Sequence, residues 1–223
     1  MNAATPLPPP PPWRKRAIVL ALLASFVVGT IVITVWVLRD LSARAGSGTK
    51  GPSDLADYGT VVDFHLTERS GIGLGLGDLA GAVWVADFIF TNCAGPCPLM
   101  SLRMSYLQDS IIADPFIKDK IVRLVSFSVD PDRDTPEVLS AYATRYEADR
   151  DRWWFLTGDM AIIKHVSMDG FHLSRPDEPI LHSTMFALVD QRGHVRGYYH
   201  SDDSDLIPHL ITDIKSLLQA SPS

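Results

Sequence analysis

Cysteine is nearly absent from this chain, with two residues in 223. That excludes a disulfide-stapled scaffold and any four-cysteine zinc or iron–sulfur site, so whatever the two thiols do they do as a pair. Concentrated basic charge is missing as well. The chain carries 20 basic and 26 acidic residues, and three of the basic ones, Arg14, Lys15 and Arg16, sit together near the start. From Arg39 onward 17 basic residues face 26 acidic ones, a net of −9. Phosphate backbones are bound by clustered Lys and Arg, so nucleic acid is excluded as a partner. A dinucleotide fingerprint is lacking too, because Gly71-x-Gly73-x-Gly75-x-Gly77 has the wrong spacing and reads as a hairpin. There is no internal repeat. What is present, 46% hydrophobic and 21% charged residues, suffices for one well-cored domain with appendages.

Composition divides the chain into four parts. Residues 1–16 hold a proline-rich tail, including the unbroken run Pro8 to Pro12, which favours extended polyproline II and packs no core. Residues 17–38 contain no charge, and 22 residues at ~1.5 Å each span about 33 Å against roughly 30 Å of bilayer hydrocarbon. Trp13 and Trp36 lie near the two ends, where aromatic belts occur. The stretch therefore reads as a transmembrane helix. A cleavable signal peptide is the competing reading, since Ala43-Arg44-Ala45 offers a cleavage site, but the run exceeds a signal core of about 7–15 residues. Arg14 to Arg16 keep the tail cytoplasmic. This predicts a single-pass protein of the inner membrane with its C-terminal part in the periplasm. Residues 39–57, with Gly46-Ser47-Gly48 and Gly51-Pro52-Ser53, form a flexible linker, and residues 58–219 form the globular domain.

Within that domain strand-like and helix-like apolar patterns alternate. Strands are expected over 61–66, 83–90, 121–129, 153–156, 184–189 and 195–199, with a hairpin over 72–77. Helices are expected over 98–112, 135–148, 159–168 and 206–218. Val83 to Phe90 is almost continuously apolar, as suits a central strand covered on both faces. Thr135-Pro136 supplies an N-cap followed by proline in the first turn. The order predicts an α/β sandwich with a mixed central sheet and an added hairpin.

Cys93 and Cys97 lie between the buried strand and the helix that follows it, in Thr91-Asn92-Cys93-Ala94-Gly95-Pro96-Cys97-Pro98. Amide groups and the dipole at a helix start stabilise a thiolate, which predicts a lowered cysteine pKa. At this spacing the pair can close a disulfide or face one metal ion. A purely structural disulfide gains little, because so short a loop removes little unfolded-state entropy. Soft sulfur ligands select copper(I), zinc or iron–sulfur clusters. A third ligand then comes from elsewhere, and histidine is the usual supplier. The candidates are His65, His165, His172, His182, His194, His200 and His209. His182 stands out, because it precedes a strand and follows the turn-rich Arg175-Pro176-Asp177-Glu178-Pro179.

Three segments together resemble the Sco/SenC family: Asp87-Phe88-Ile89-Phe90-Thr91-Asn92-Cys93-x-x-x-Cys97-Pro98, Ser128-Val129-Asp130-Pro131-Asp132-Arg133-Asp134-Thr135-Pro136, and Leu181-His182-Ser183-Thr184-Met185-Phe186. The resemblance covers most of residues 58–218, and the segments fall in the family's order. It implies a thioredoxin-like fold in which Cys93, Cys97 and His182 bind a copper ion. It further implies a copper chaperone that assists assembly of the binuclear copper centre of cytochrome c oxidase, with the copper-bearing subunit or another copper or thiol protein as partner. The family commonly has a histidine before the first cysteine, where this chain has Asn92.

Asp87, six residues before Cys93, is a charge inside the apolar run. Thioredoxins carry a buried aspartate at that offset, where it resembles a proton acceptor and donor for disulfide chemistry. Burial would raise its pKa and let it relay protons to the thiols. This supports an alternative, a thiol–disulfide oxidoreductase that keeps a partner's copper-site cysteines reduced, with Cys93 attacking and Cys97 resolving. Against it, His182-Ser183-Thr184 stands where such enzymes place a cis-proline. Met100 and Met104 fit the helix's core stripe better than a metal site. Asp130 and Asp134 either hold the site's ligands from behind or form a turn and cap a helix. Trp153-Trp154 supplies packing area.

Overall fold

The apolar run at residue 83 becomes an interior strand of a seven-stranded sheet. The computed structural model describes residues 29–30, 33–34, 55–173 and 184–219. The polyproline tail, most of the uncharged stretch 17–38, nearly all of the linker, the loop 175–179 and His182 lie outside the described residues. Among the described residues no helix is long and apolar enough to cross a membrane. The chain divides into two units, Met1–Gly48 and Thr49–Ser223. In the first, the four described residues are helical, and the Thr34 hydroxyl donates to the Thr30 carbonyl at 2.8 Å.

In the second unit the strands are β1 (His65–Glu68), β2 (Gly73–Gly75), β3 (Val83–Ile89), β4 (Val122–Ser128), β5 (Trp153–Thr157), β6 (Met185–Val189) and β7 (Val195–His200). Their order across the sheet is β2-β1-β5-β4-β3-β6-β7. Strands β3, β4 and β5 run parallel, while β6, β7, β1 and β2 pair antiparallel on either side. The helices are α1 (Cys97–Ala113), α2 (Pro136–Arg145), α3 (Met160–His165) and α4 (Leu206–Gln219). A π turn, Val166–Gly170, continues α3.

Every residue of β3 is buried, because both faces of the sheet are covered. Alternation along the strand sends Val83, Val85 and Ile89 toward one layer and Trp84, Ala86 and Phe88 toward the other. The first layer is closed by Met100, Met104, Leu107 and Ile111 of α1, Leu139 and Tyr142 of α2, and Leu210, Ile214 and Leu217 of α4. Both methionines are wholly buried core residues. The second layer is aromatic: Phe88 stacks on Phe127 at 5.0 Å, and Phe171 meets Phe88 edge-on at 5.6 Å.

Two boundaries depart from the periodicity. The first strand forms at His65–Glu68, while residues 61–64 are not paired in the ladder and Val61 donates instead to the Gly193 carbonyl at 2.9 Å. Packing also reaches back beyond residue 58. Leu55 is buried in the first layer, and Arg196 clasps the Leu55 and Ala56 carbonyls at 2.8 and 2.9 Å. At the start of α2 the Thr135 hydroxyl accepts from the Val138 amide at 3.4 Å, with Pro136 in the first turn. Thr135→Ala should therefore cost about 1 kcal/mol, read as a lower denaturant midpoint with an unchanged m-value.

Candidate metal centre

The parallel strands β3 and β4 end side by side, with Ile89 opposite Ser128, and the chain leaves β3 through Phe90 and Thr91 into the cysteine loop. Cys93 is half-buried, Cys97 is buried at the first residue of α1, and both are free thiols. Pro98 occupies the first turn, where a missing N–H costs no intrahelical bond. The Gly95 amide donates to Cys93 Sγ at 3.4 Å.

The helix start does not lower the Cys97 pKa as expected. Burial pushes the thiol up to about 12, aided by the hydrogen bond with Cys93 and opposed in part by the Phe90 amide. Desolvation of a buried thiolate outweighs the dipole here. The reduced pair therefore holds the Cys97 proton firmly, and any metal or disulfide partner must displace it.

Directly below lies a buried polar chain. Asp87 is fully buried and points by strand alternation into the α1 layer. Burial pushes its carboxyl up to about 7, against the lowering effect of the Ser126 hydroxyl, which donates to Oδ1 at 2.6 Å. The Trp153 indole N–H donates to Ser126 Oγ at 2.9 Å, so that hydroxyl is fixed as a donor toward Asp87. The second carboxyl oxygen, Oδ2, has no partner among the described residues. Asp87 raises the Cys97 pKa electrostatically, so the two groups sense each other's charge. Next to them the Ser101 and Tyr142 hydroxyls share a 2.8 Å hydrogen bond.

The two aspartates of the second motif separate in role. Asp130 is half-exposed, ion-paired with Arg133 at 3.3 Å, and its carbonyl accepts from the Arg133 and Asp134 amides, so it builds the turn. Asp134 is fully buried and does not cap α2, which Thr135 does. Its carboxylate reaches the cysteine loop at Thr91, a placement the motif alone does not reveal. Six histidines are described, and none joins the cysteines. His165 pairs with Asp169 at 2.7 Å, His194 with Asp57 at 2.9 Å and His209 with Asp203 at 3.8 Å. His172 meets the Met168 carbonyl at 3.1 Å, and His65 and His200 are exposed on β1 and β7. Among the described residues no three His, Cys, Asp or Glu side chains form a metal cluster.

A mixed sheet between helical layers, with a dithiol at the turn from central strand to helix and a buried aspartate beneath it, defines a thioredoxin-like dithiol protein. The SCO1/SenC family pattern matches residues 53–219, and the chain belongs to that family. It is 35% identical over 181 residues to the SCO1 protein homolog of Bacillus subtilis, covering 79% of this chain and 90% of that protein. It also superposes on BsSco, a member of the Sco family of cytochrome c oxidase assembly proteins in which a disulfide switch has been identified. The TM-score is 0.65 at 34% identity, over 75% of this chain and 98% of BsSco. Copper-bound ScoI of Bradyrhizobium japonicum shares the fold, with a TM-score of 0.57 at 23% identity over 71% of this chain and 99% of that structure.

Proposed function

We propose that this chain is a membrane-anchored copper chaperone that carries one copper(I) ion on Cys93, Cys97 and His182 and delivers it during assembly of the binuclear copper centre of cytochrome c oxidase. The observation that carries the reading is the dithiol itself, a half-buried and a buried sulfur joined by a hydrogen bond at the end of the central strand. Two soft sulfurs suit copper(I) as cargo, and an imidazole completes a trigonal set. Sheet register supports His182 as the third ligand. Ala187 pairs with Ala86 in antiparallel register, so β6 begins at Met185 at the end of β3 from which the cysteine loop departs. Anchoring by residues 17–38 rests on their lack of charge and on the basic cluster before them. Uptake of copper(I) by two thiols releases their protons. The half-buried sulfur faces the acceptor, whose own soft ligands replace those of the donor one at a time.

Asp87 favours a second reading of the same pair, a thiol–disulfide oxidoreductase. The Cys93 thiolate attacks a partner disulfide and expels one partner thiolate. Cys97 then attacks the mixed disulfide, yielding the Cys93–Cys97 disulfide and a fully reduced partner. The Cys97 proton needs an acceptor within the fold, and the unpartnered oxygen of Asp87 is suited to take it.

Titrating the detergent-solubilised chain with copper(I) against a competing chelator tests the first reading. One equivalent should bind when both cysteines are reduced and none when they are joined. Copper retained after oxidation would defeat the dithiol site.

A further inference from the structure

The carboxylate of Asp134 collects donors from two strand ends. Thr91 approaches it twice, with its amide 3.1 Å from Oδ2 and its hydroxyl 2.5 Å from Oδ1. Ser128, the last residue of β4, donates its hydroxyl to Oδ2 at 2.6 Å and accepts the Asp130 amide at 3.2 Å. Asp134 is wholly buried, and among the described residues no cation pairs with it. A buried carboxylate without a counter-ion is tolerated only where several donors converge on it. Here the donors converge from places far apart in the chain, since Thr91 and Asp134 are 43 residues apart.

The location gives this cluster a consequence. Thr91 is the second residue after β3 and lies two before Cys93, so it sets the direction in which the chain enters the cysteine loop. Beyond it, among the described residues, the side-chain hydrogen bonds of the loop are local: the Gly95 amide donates to Cys93 Sγ, and Cys93 bonds with the Cys97 thiol at the start of α1. At its other end the loop is held by the buried Cys97 and by α1. We propose that Asp134, acting through Thr91, is the positioning residue that holds Cys93 over Cys97, so that the fold and not the loop sets the proximity of the two sulfurs. The proposal rests on the reading of Cys93 and Cys97 as the working pair and adds the groups that fix their geometry.

The strap differs from a cap or a plain turn, which would act on α2 alone. It ties the cysteine loop to the β4–α2 turn through a group that in its ionised form can only accept hydrogen bonds. Both hydroxyls are therefore obliged to donate. An amide of the same shape would have to donate from one side, and one of the two hydroxyls would lose its acceptor. Loosening the strap lowers the effective concentration of one thiol at the other, and with it the tendency to close the disulfide.

The test is the equilibrium of the full chain in detergent with glutathione, in which two protein thiols and one glutathione disulfide give the Cys93–Cys97 disulfide and two glutathione thiols. Thr91→Val keeps the shape and the amide but removes the hydroxyl. It should lower the oxidation constant about tenfold, equivalent to ~30 mV for this two-electron couple. Thr91→Ser restores the donor and should return within about twofold of the parent, while Asp134→Asn should fall at least as far as Thr91→Val. Urea unfolding of the reduced proteins separates this from global stability, because a merely structural loss lowers the midpoint and leaves the oxidation constant alone. A parent chain that closes the disulfide with Thr91→Val equal to it overturns the strap. So does Thr91→Ser falling as far as Thr91→Val, which would assign the effect to packing. A parent that never closes the disulfide instead sinks the dithiol reading beneath it. Should Asp134→Asn fail to fold, the two Thr91 variants decide the matter alone.

Discussion

Replacing His182 by alanine should lower copper(I) affinity on the order of a hundredfold or more while leaving disulfide exchange by Cys93 and Cys97 within about twofold of the parent. The magnitude follows from what a ligand contributes. Disturbing only the partners behind a metal-bound histidine already costs about 10–100-fold, so removing the ring itself costs at least the upper end of that range. The asymmetry follows from the site's two chemistries. Copper(I) on two sulfurs alone is open to solvent and to competing ligands. Disulfide exchange needs only one thiolate, a resolving thiol and a proton acceptor. The six described histidines make poor substitutes, because three sit in carboxylate pairs on other elements and none is grouped with the cysteines. Competition titration with a copper(I) chelator, run beside glutathione exchange on the same preparations, reads both quantities. Equal affinity in parent and variant would remove His182 from the site and leave a two-sulfur carrier.

Much of the central scaffold was legible because its physics is local. The unbroken apolar run from Val83 announces a strand covered on both faces, and the stripe Met100, Met104, Leu107, Ile111 announces a helix lying on it. Asp87 betrayed itself by being a charge inside that run. The first strand begins at His65, later than apolar spacing implies, for an equally physical reason. Val61 and Phe64 are buried, yet the Val61 amide goes to the turn between β6 and β7, and apolar spacing reports burial without reporting which backbone groups pair. The helix start suggested a low thiol pKa, but it said nothing of how deeply Cys97 is sunk, and burial reverses the sign. Asp134 was harder still. In the Asp- and Pro-bearing stretch Asp130 to Pro136 it looks like turn chemistry, whereas its partner Thr91 is brought near only by the pairing of β3 with β4.

Asp87 makes the sharpest demand on the folded state. Its carboxyl titrates near 7 in the fold and near 3.8 when solvated, so the native protein binds this proton more tightly than the unfolded chain. Below about pH 3.8 both states hold the proton and burial of the neutral acid carries no charge penalty. Between that value and about 7 the unfolded chain gives the proton up first, and stability falls by ~1.4 kcal/mol per pH unit. Above 7 the loss levels off at about 4 kcal/mol, all of it from desolvating the carboxylate. Asp87→Asn removes this titration. The variant's stability relative to the parent should therefore rise by about 4 kcal/mol between pH 4 and pH 8, as followed by urea unfolding with both cysteines reduced. An offset of about 1–3 kcal/mol against the variant applies at every pH, because the amide buries an N–H₂ where Oδ2 has no partner among the described residues. The slope is thus the signature, and the absolute stability is not. Neighbouring groups do not mimic it: the Cys97 thiol is held near 12, and burial raises the Tyr142 hydroxyl further above its ordinary value, so neither titrates in this window. A difference that stays flat from pH 4 to pH 8 would show that Asp87 carries no proton at neutrality. With the slope present, the same variant weighs the two uses of the dithiol. Slower thiol exchange with copper affinity unchanged would mean that the carboxyl serves the oxidoreductase chemistry. Exchange and affinity falling together would mean that it takes up the proton that Cys97 must lose in either process.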